Sequence, residues 1–176
     1  KASAPVLQKD GDRDHADGIA DLRWQDDVTL HFIGRLQTNK VKKVTRLFHY
    51  IHSVDRDSLA QALAQDKQQW QEKKPFPQLL LEVNVGEEPQ KGGVPPSDLH
   101  DFYRRCRQQY DLPIVGLMAI LPPQLPAAPF FFFLKQQADM LGLKELSMGM
   151  SQDYGAAVEL GATMVRLGAA LFGARA

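Results

Sequence analysis

From residue 28 onward, short apolar runs alternate with longer stretches in which apolar residues recur every three or four positions. TLHFIG (residues 29–34) reads as a strand, followed by a helix with Thr38 as its N-cap and Val41, Val44 and Phe48 on one face. HYIHSV (residues 49–54) is a second strand; Leu59, Ala62, Leu63, Asp66 and Trp70 give its helix one face, with Asp55 or Asp57 as the cap. QLLLEVNVG (residues 78–86) is a third strand, apolar enough to be covered on both sides, as parallel strands are. A helix capped by Ser97 then carries the stripe Leu99, Phe102, Tyr103, Cys106 and Tyr110.

IVGLMAI (residues 114–120) is the fourth strand, and the proline-rich LPPQLPAAP after it excludes regular structure. Phe130, Phe133, Leu134, Ala138 and Leu141 resume a helical period, whereas Phe131 and Phe132 fall off it and point to a second contact, through a subunit interface or deeper burial. ELSMGM and TMVRLG are the last two strands, joined by a helix with Asp153 as cap and Tyr154, Ala157, Val158 and Gly161 facing inward. Six strand-helix units of one hand lead to an open doubly wound sheet or a closed barrel. A barrel of eight strands needs two more before residue 28, and the polar stretch 1–27 is too short to hold both. The front of such a barrel is therefore expected to be incomplete in this chain.

With 176 residues, 44% of them hydrophobic, the chain can bury one sizeable core, so residues 1–176 are expected to form a single domain. Lys and Arg total 21 and Asp and Glu total 21, so no bulk positive field exists for nucleic acid or an anionic membrane. An anion must be bound locally. The single Cys106 rules out an internal disulfide or a Cys-rich zinc site and reads as a buried packing residue, in keeping with a reducing cytoplasm. No apolar stretch reaches the ~18 residues of a membrane helix. The five histidines show no HExxH-like pairing, which argues against a metal.

Parallel βα folds bind ligands beyond the carboxyl ends of their strands, which selects Gly34, Asn84, Met118, Ser147, Gly149 and the turn of Arg166, Gly168 and Ala169. The last two turns are rich in small residues. Amides there can bind a phosphate, although the same glycines and alanines equally serve close packing of helix on sheet. Arg166 lies in an otherwise apolar strand and needs an acceptor, whether a protein carboxylate, a ligand phosphate or a ring nitrogen.

HFIGRLQTNK, LEVNVGEEPQKGG, GLMAILP and LSMGMSQDYGAAVELGATMVRLGAALFGAR, in this order and spacing, resemble the pyridoxal-phosphate homeostasis protein family over nearly all of residues 28–175. The resemblance implies a single-domain (β/α)8 TIM barrel, similar to the N-terminal domain of alanine racemase, holding pyridoxal 5'-phosphate (PLP) as a Schiff base on a lysine. By motif, Ser147 would bind the phosphate together with the Gly168 and Ala169 amides, Arg166 would face the pyridine nitrogen, and Gly149 counts among the cofactor-binding residues. His31, Gly34, Gln37 and Asn39 belong to a motif near the same rim. The family's AVSK and GEN segments have no counterpart here. Lys1 is expected to be what remains of the Schiff-base position, with Lys9 the other candidate.

The resemblance implies a cytoplasmic PLP binder in vitamin B6 homeostasis without catalysis of its own, serving apo-PLP enzymes as a monomer or weak homodimer. With no second domain visible after Gly173, no second acid-base group over the cofactor is identifiable. A PLP-dependent amino-acid racemase and a barrel that binds some other phosphorylated metabolite are the alternatives.

Overall fold

The computed structural model describes residues 28–122 and 125–173; Lys1 and Lys9 lie outside them. Six parallel strands stand in sequential order, each beside its neighbour in the chain. They are β1 (His31–Phe32), β2 (Tyr50–Val54), β3 (Gln78–Glu82), β4 (Ile114–Met118), β5 (Glu145–Met150) and β6 (Met164–Arg166). All six coincide with the runs read from the sequence, trimmed at their ends. Between them lie α1 (Val41–Leu47), α2 (Asp57–Gln68), α3 (Leu99–Arg104), α4 (Ala127–Met140) and α5 (Tyr154–Glu159), with α6 (Ala169–Phe172) after the last strand.

The two faces of the sheet differ in chemistry. Ile51, Leu79, Leu81, Leu117, Leu146 and Met148 point outward and share one core with the inner faces of the helices, including Leu59, Leu63, Phe102 and Phe131. Alternate positions face the other way. His52 on β2 and Ser147 on β5 meet there, with 2.8 Å between Nδ1 and Oγ. In a flat sheet, strands three places apart are separated by roughly 14 Å. The contact therefore requires a curled sheet, the wall of a barrel, with β1 and β6 as its edges among the described residues.

Asp66 explains itself as a carboxylate on an apolar stripe. It accepts hydrogen bonds from Thr45 Oγ1 (2.7 Å) and Arg46 Nη1 (2.8 Å to Oδ1), and Arg46 lies 4.9 Å from the Trp70 ring centre, so polar and apolar contacts together join α1 to α2. Asp153 takes the cap position before α5. Thr38 instead opens a short 3-10 turn (Thr38–Lys40) ahead of α1, and Ser97 sits inside another (Pro96–Asp98) ahead of α3.

Two helix faces differ from the expectation. Phe131, Leu134 and Ala138 form the buried stripe of α4, so Phe131 is fully enclosed while Phe132 is 55% exposed. The apolar run of four phenylalanines hid which residue begins the inward face. On α5 only Ala157 is buried, and Tyr154 and Val158 are exposed, because this six-residue helix approaches β5 so closely that only a methyl fits. Among the described residues no helix is long and apolar enough to cross a membrane, and no group of three metal-ligating side chains occurs.

The two neighbouring phenylalanines offer a direct test. Phe131→Ala empties a fully enclosed site and is expected to cost about 3–5 kcal/mol, whereas Phe132→Ala should stay within about 0.5 kcal/mol of the parent. Urea unfolding midpoints compare the two.

Candidate functional site

The inward positions of the strands carry polar side chains where a closed apolar core would have none. Arg166, at the end of β6, turns back across the sheet. Its Nη1 donates to the Ser147 carbonyl and to Ser147 Oγ, both at 2.8 Å, and its Nη2 donates to the Ala119 carbonyl at 2.8 Å. Three acceptors thus hold the guanidinium without a full counter-charge. Burial pulls its pKa down while the charges of Asp153 and Glu82 push it up, and it remains a cation.

Beneath it runs a chain of hydrogen bonds. Ser147 is 0% exposed, and its Oγ meets His52 Nδ1; His52 Nε2 in turn meets His31 Nδ1 at 2.9 Å. His31 stacks flat on Tyr50 with 4.5 Å between ring centres. Burial, then the proximity of His31 and Arg166, pushes the His52 pKa down to about 4, so the ring is neutral near pH 7. His31 is lowered too, by burial and by His49. Glu82, half-buried at the end of β3, is raised by burial and by Asp55, against the opposing pull of Arg166 and Arg35.

Two adjoining cavities open above this layer. One of about 630 Å³ is lined by His31, His52, Ile33, Arg166, Leu167 and Gly168 among others. The other, about 640 Å³, is lined by Ser151, Asp153, Arg166, Gly168 and Ala169 among others. Arg166 and Gly168 belong to both. The turn after β5 touches the turn after β6 directly, since the Ala170 amide donates to Ser151 Oγ at 3.1 Å. Gly168 and Ala169 stand at the start of α6, where the first amides of a helix find no partner inside it.

The expected site residues divide accordingly. His31, Arg166, Gly168 and Ala169 line the cavities. Ser147 does not reach the rim: its hydroxyl lies under Arg166 and is engaged by Arg166 and His52. Ser151 occupies the rim position. The register shift between Ser147 and Met150 breaks the alternation of β5, so counting by twos from Ser147 fails here. Gly149 faces away from the cavities: with φ at 93°, a Cβ on it would lie 2.6 Å from the Ala157 methyl, so α5 rather than a ligand demands glycine. Asn39 sits exposed in the 3-10 turn and lines neither cavity. Asn84 binds both main-chain groups of Glu88 and holds the loop after β3. His52 went unnoticed because it pairs with no metal-ligand spacing; its signal was a polar residue at an inward position of a buried strand.

A parallel strand-helix barrel wall with a half-buried cation at adjoining small-residue turns defines a ligand-binding α/β barrel. The family model described as alanine racemase, N-terminal domain, matches residues 22–176. The pyridoxal phosphate homeostasis protein of Aquifex aeolicus is 41% identical over 170 residues, covering 88% of this chain and 68% of that protein. That of Synechocystis is 43% identical over 158 residues, covering 85% of this chain and 71% of that protein. The structure of PipY from Synechococcus elongatus, solved with PLP bound, superposes with a TM-score of 0.71 at 39% identity, covering 90% of this chain and 75% of that one. The chain belongs to the pyridoxal phosphate homeostasis protein family, whose fold is the alanine racemase-type (β/α)8 barrel, and it spans roughly two thirds of the length of those curated relatives.

His52 sets a pH dependence. Its pKa is about 4 when folded and 6.5 ordinarily, so between these values the unfolded chain binds more protons than the folded one. Stability from this group is complete above pH 6.5 and is lost as pH falls toward 4, by about 3 kcal/mol in total. Urea denaturation at stepped pH is expected to show that loss, and His52→Asn to reduce it.

Proposed function

We propose that this protein binds PLP reversibly and serves in cellular vitamin B6 homeostasis as a holder of the cofactor rather than as an enzyme with a substrate of its own. The observation that carries this reading is Arg166, a half-buried cation fixed at the wall shared by two cavities, one edge of which is built from the Ser151 and Gly168 turns. The PLP-bound structure of PipY, a relative of this chain, supports it. So do the relatives' names, which describe homeostasis and no reaction.

The residues present fit the ligand. Ser151 Oγ and the amides of Gly168 and Ala169 would take the phosphate, with charge-assisted hydrogen bonds and no Cβ at Gly168 to obstruct approach. Asp153 lines the same cavity, but its Oδ1 already accepts the Met150 amide at 2.6 Å. Arg166 would face the ring nitrogen, with His31 in the adjoining wall. Bound PLP supplies a reactive aldehyde and an electron-withdrawing ring, and a guanidinium N–H at the ring nitrogen keeps that nitrogen unprotonated and the ring a weak electron sink. Arg166 thus favours holding the cofactor over carbanion chemistry.

On the family resemblance, Lys1 is the covalent attachment point. Residues 1–176 are read as one cofactor-binding unit, supported by the single core joining the described helices to the sheet. Apo-PLP enzymes in the cytoplasm are the proposed recipients, and exposed Phe132 is the contact for a weak homodimer if one forms.

Titration with PLP should produce a visible-violet absorption band, and borohydride should fix the cofactor to one lysine, identified by peptide mass. Arg166→Gln and Ser151→Ala are each expected to weaken binding roughly tenfold, and inorganic phosphate to compete. Racemisation of L-alanine at about 1 per second or faster would instead make the protein an enzyme. Binding of other phosphate esters without the absorption band would mark a barrel for a different metabolite.

A further inference from the structure

The hydrogen bonds under Arg166 have a direction. Ser147 Oγ is fully buried and carries one hydrogen and two lone pairs. Arg166 Nη1 can only donate, so it takes one lone pair. The other recorded partner of the oxygen is His52 Nδ1. If that nitrogen carried a proton, Oγ would receive two donors while its own hydrogen met no acceptor among the described residues. A buried hydroxyl hydrogen without an acceptor is strongly disfavoured. The hydroxyl therefore donates to His52 Nδ1, and the neutral ring keeps its proton on Nε2. That proton points at His31 Nδ1, 2.9 Å away, which accepts it. The order is Arg166 to Ser147 to His52 to His31, each group donating to the next.

We propose that His52 is a positioning residue: by accepting at Nδ1 it fixes the Ser147 hydroxyl, and through it the orientation of the Arg166 guanidinium at the cavity wall. Arg166 also rests on the Ser147 and Ala119 carbonyls, and the hydroxyl supplies the third acceptor that fixes the plane of the fork. His52 is itself held from behind by His31, whose ring is stacked on Tyr50. The consequence for PLP affinity rests on the function proposed above; the orientation of Arg166 rests on the hydrogen bonds alone.

The test uses the full chain labelled with nitrogen-15, near neutral pH and without ligand, followed by PLP titration. In the wild type, His52 is expected as the Nε2–H form with an accepting Nδ1, and Arg166 should show separate, slowly exchanging guanidinium signals. His52→Phe keeps a ring but no acceptor, and those signals should merge. In His52→Asn the side-chain oxygen sits one bond beyond Cγ, as Nδ1 does, and should restore them. PLP binding should fall roughly tenfold or more in His52→Phe and return to within about threefold in His52→Asn, with the bound absorption band following the same order. Should His52→Phe fail to fold, Ser147→Ala removes the middle of the chain with one atom and should merge the Arg166 signals in the same way. An Nδ1–H form of His52, or Arg166 signals unchanged in His52→Phe or Ser147→Ala, overturns the proposal. A wild type that binds no PLP defeats the functional reading instead, and the histidine and guanidinium signals still decide the role of His52.

Discussion

The hydrogen bond between His52 and Ser147 joins strands that stand three places apart in the sheet, and the shape of the molecule follows from it. It is possible only when the sheet has curled into a barrel wall, and it brings the inward side chains of β2, β5 and β6 into one polar layer. On their other face Ile51, Val54, Leu146 and Met148 of β2 and β5 pack into the core shared with the helices. Curvature and polarity are thus two aspects of one arrangement: His31, His52, Ser147 and Arg166 can sit inside because each finds a polar partner on another strand.

Arg166 illustrates how a charge is kept inside such a wall. Burying a guanidinium costs several kcal/mol unless its donors are met. Two carbonyls and one hydroxyl meet three contacts, and neutral His52 adds no second positive charge beside it. Burial and Asp55 raise the pKa of nearby Glu82, whose charge, with that of Asp153, supports the guanidinium from a distance. In a chain whose 21 basic and 21 acidic residues balance, Arg166 places one fixed positive charge at the cavity wall. The turns carrying Ser151 and Gly168 lie against that spot, which is why a small anionic ligand suits this molecule better than a polyanion.

The strand order also explains where small residues are needed. Gly149 is glycine because α5 lies against β5, whereas Gly168 opens onto a cavity with nothing within 4 Å of where its Cβ would be. Neighbouring glycines in one motif therefore do different things, one serving packing and the other access. Ser147 and Ser151 divide in the same manner, one under the cation and the other at the rim beside the Ala170 amide.

Alternating apolar runs and helical periods were sufficient to place all six strands and the stripe of Leu99, Phe102 and Cys106, because burial of those side chains is a local consequence of period. The motif residues likewise identified the family and picked out Arg166, a charge whose solitude in an apolar strand is visible without coordinates. Local pattern could not tell Phe131 from Phe132, where every neighbouring position is equally apolar, nor Ser147 from Ser151, where an irregularity in β5 resets the inward count. It was equally silent on His52, whose partners lie 21 and 95 residues away along the chain. The sequence alone determined which segments form strands and helices, since that depends on neighbours a few residues off; only the tertiary structure decided which polar side chains face one another, since that depends on how far the sheet curls.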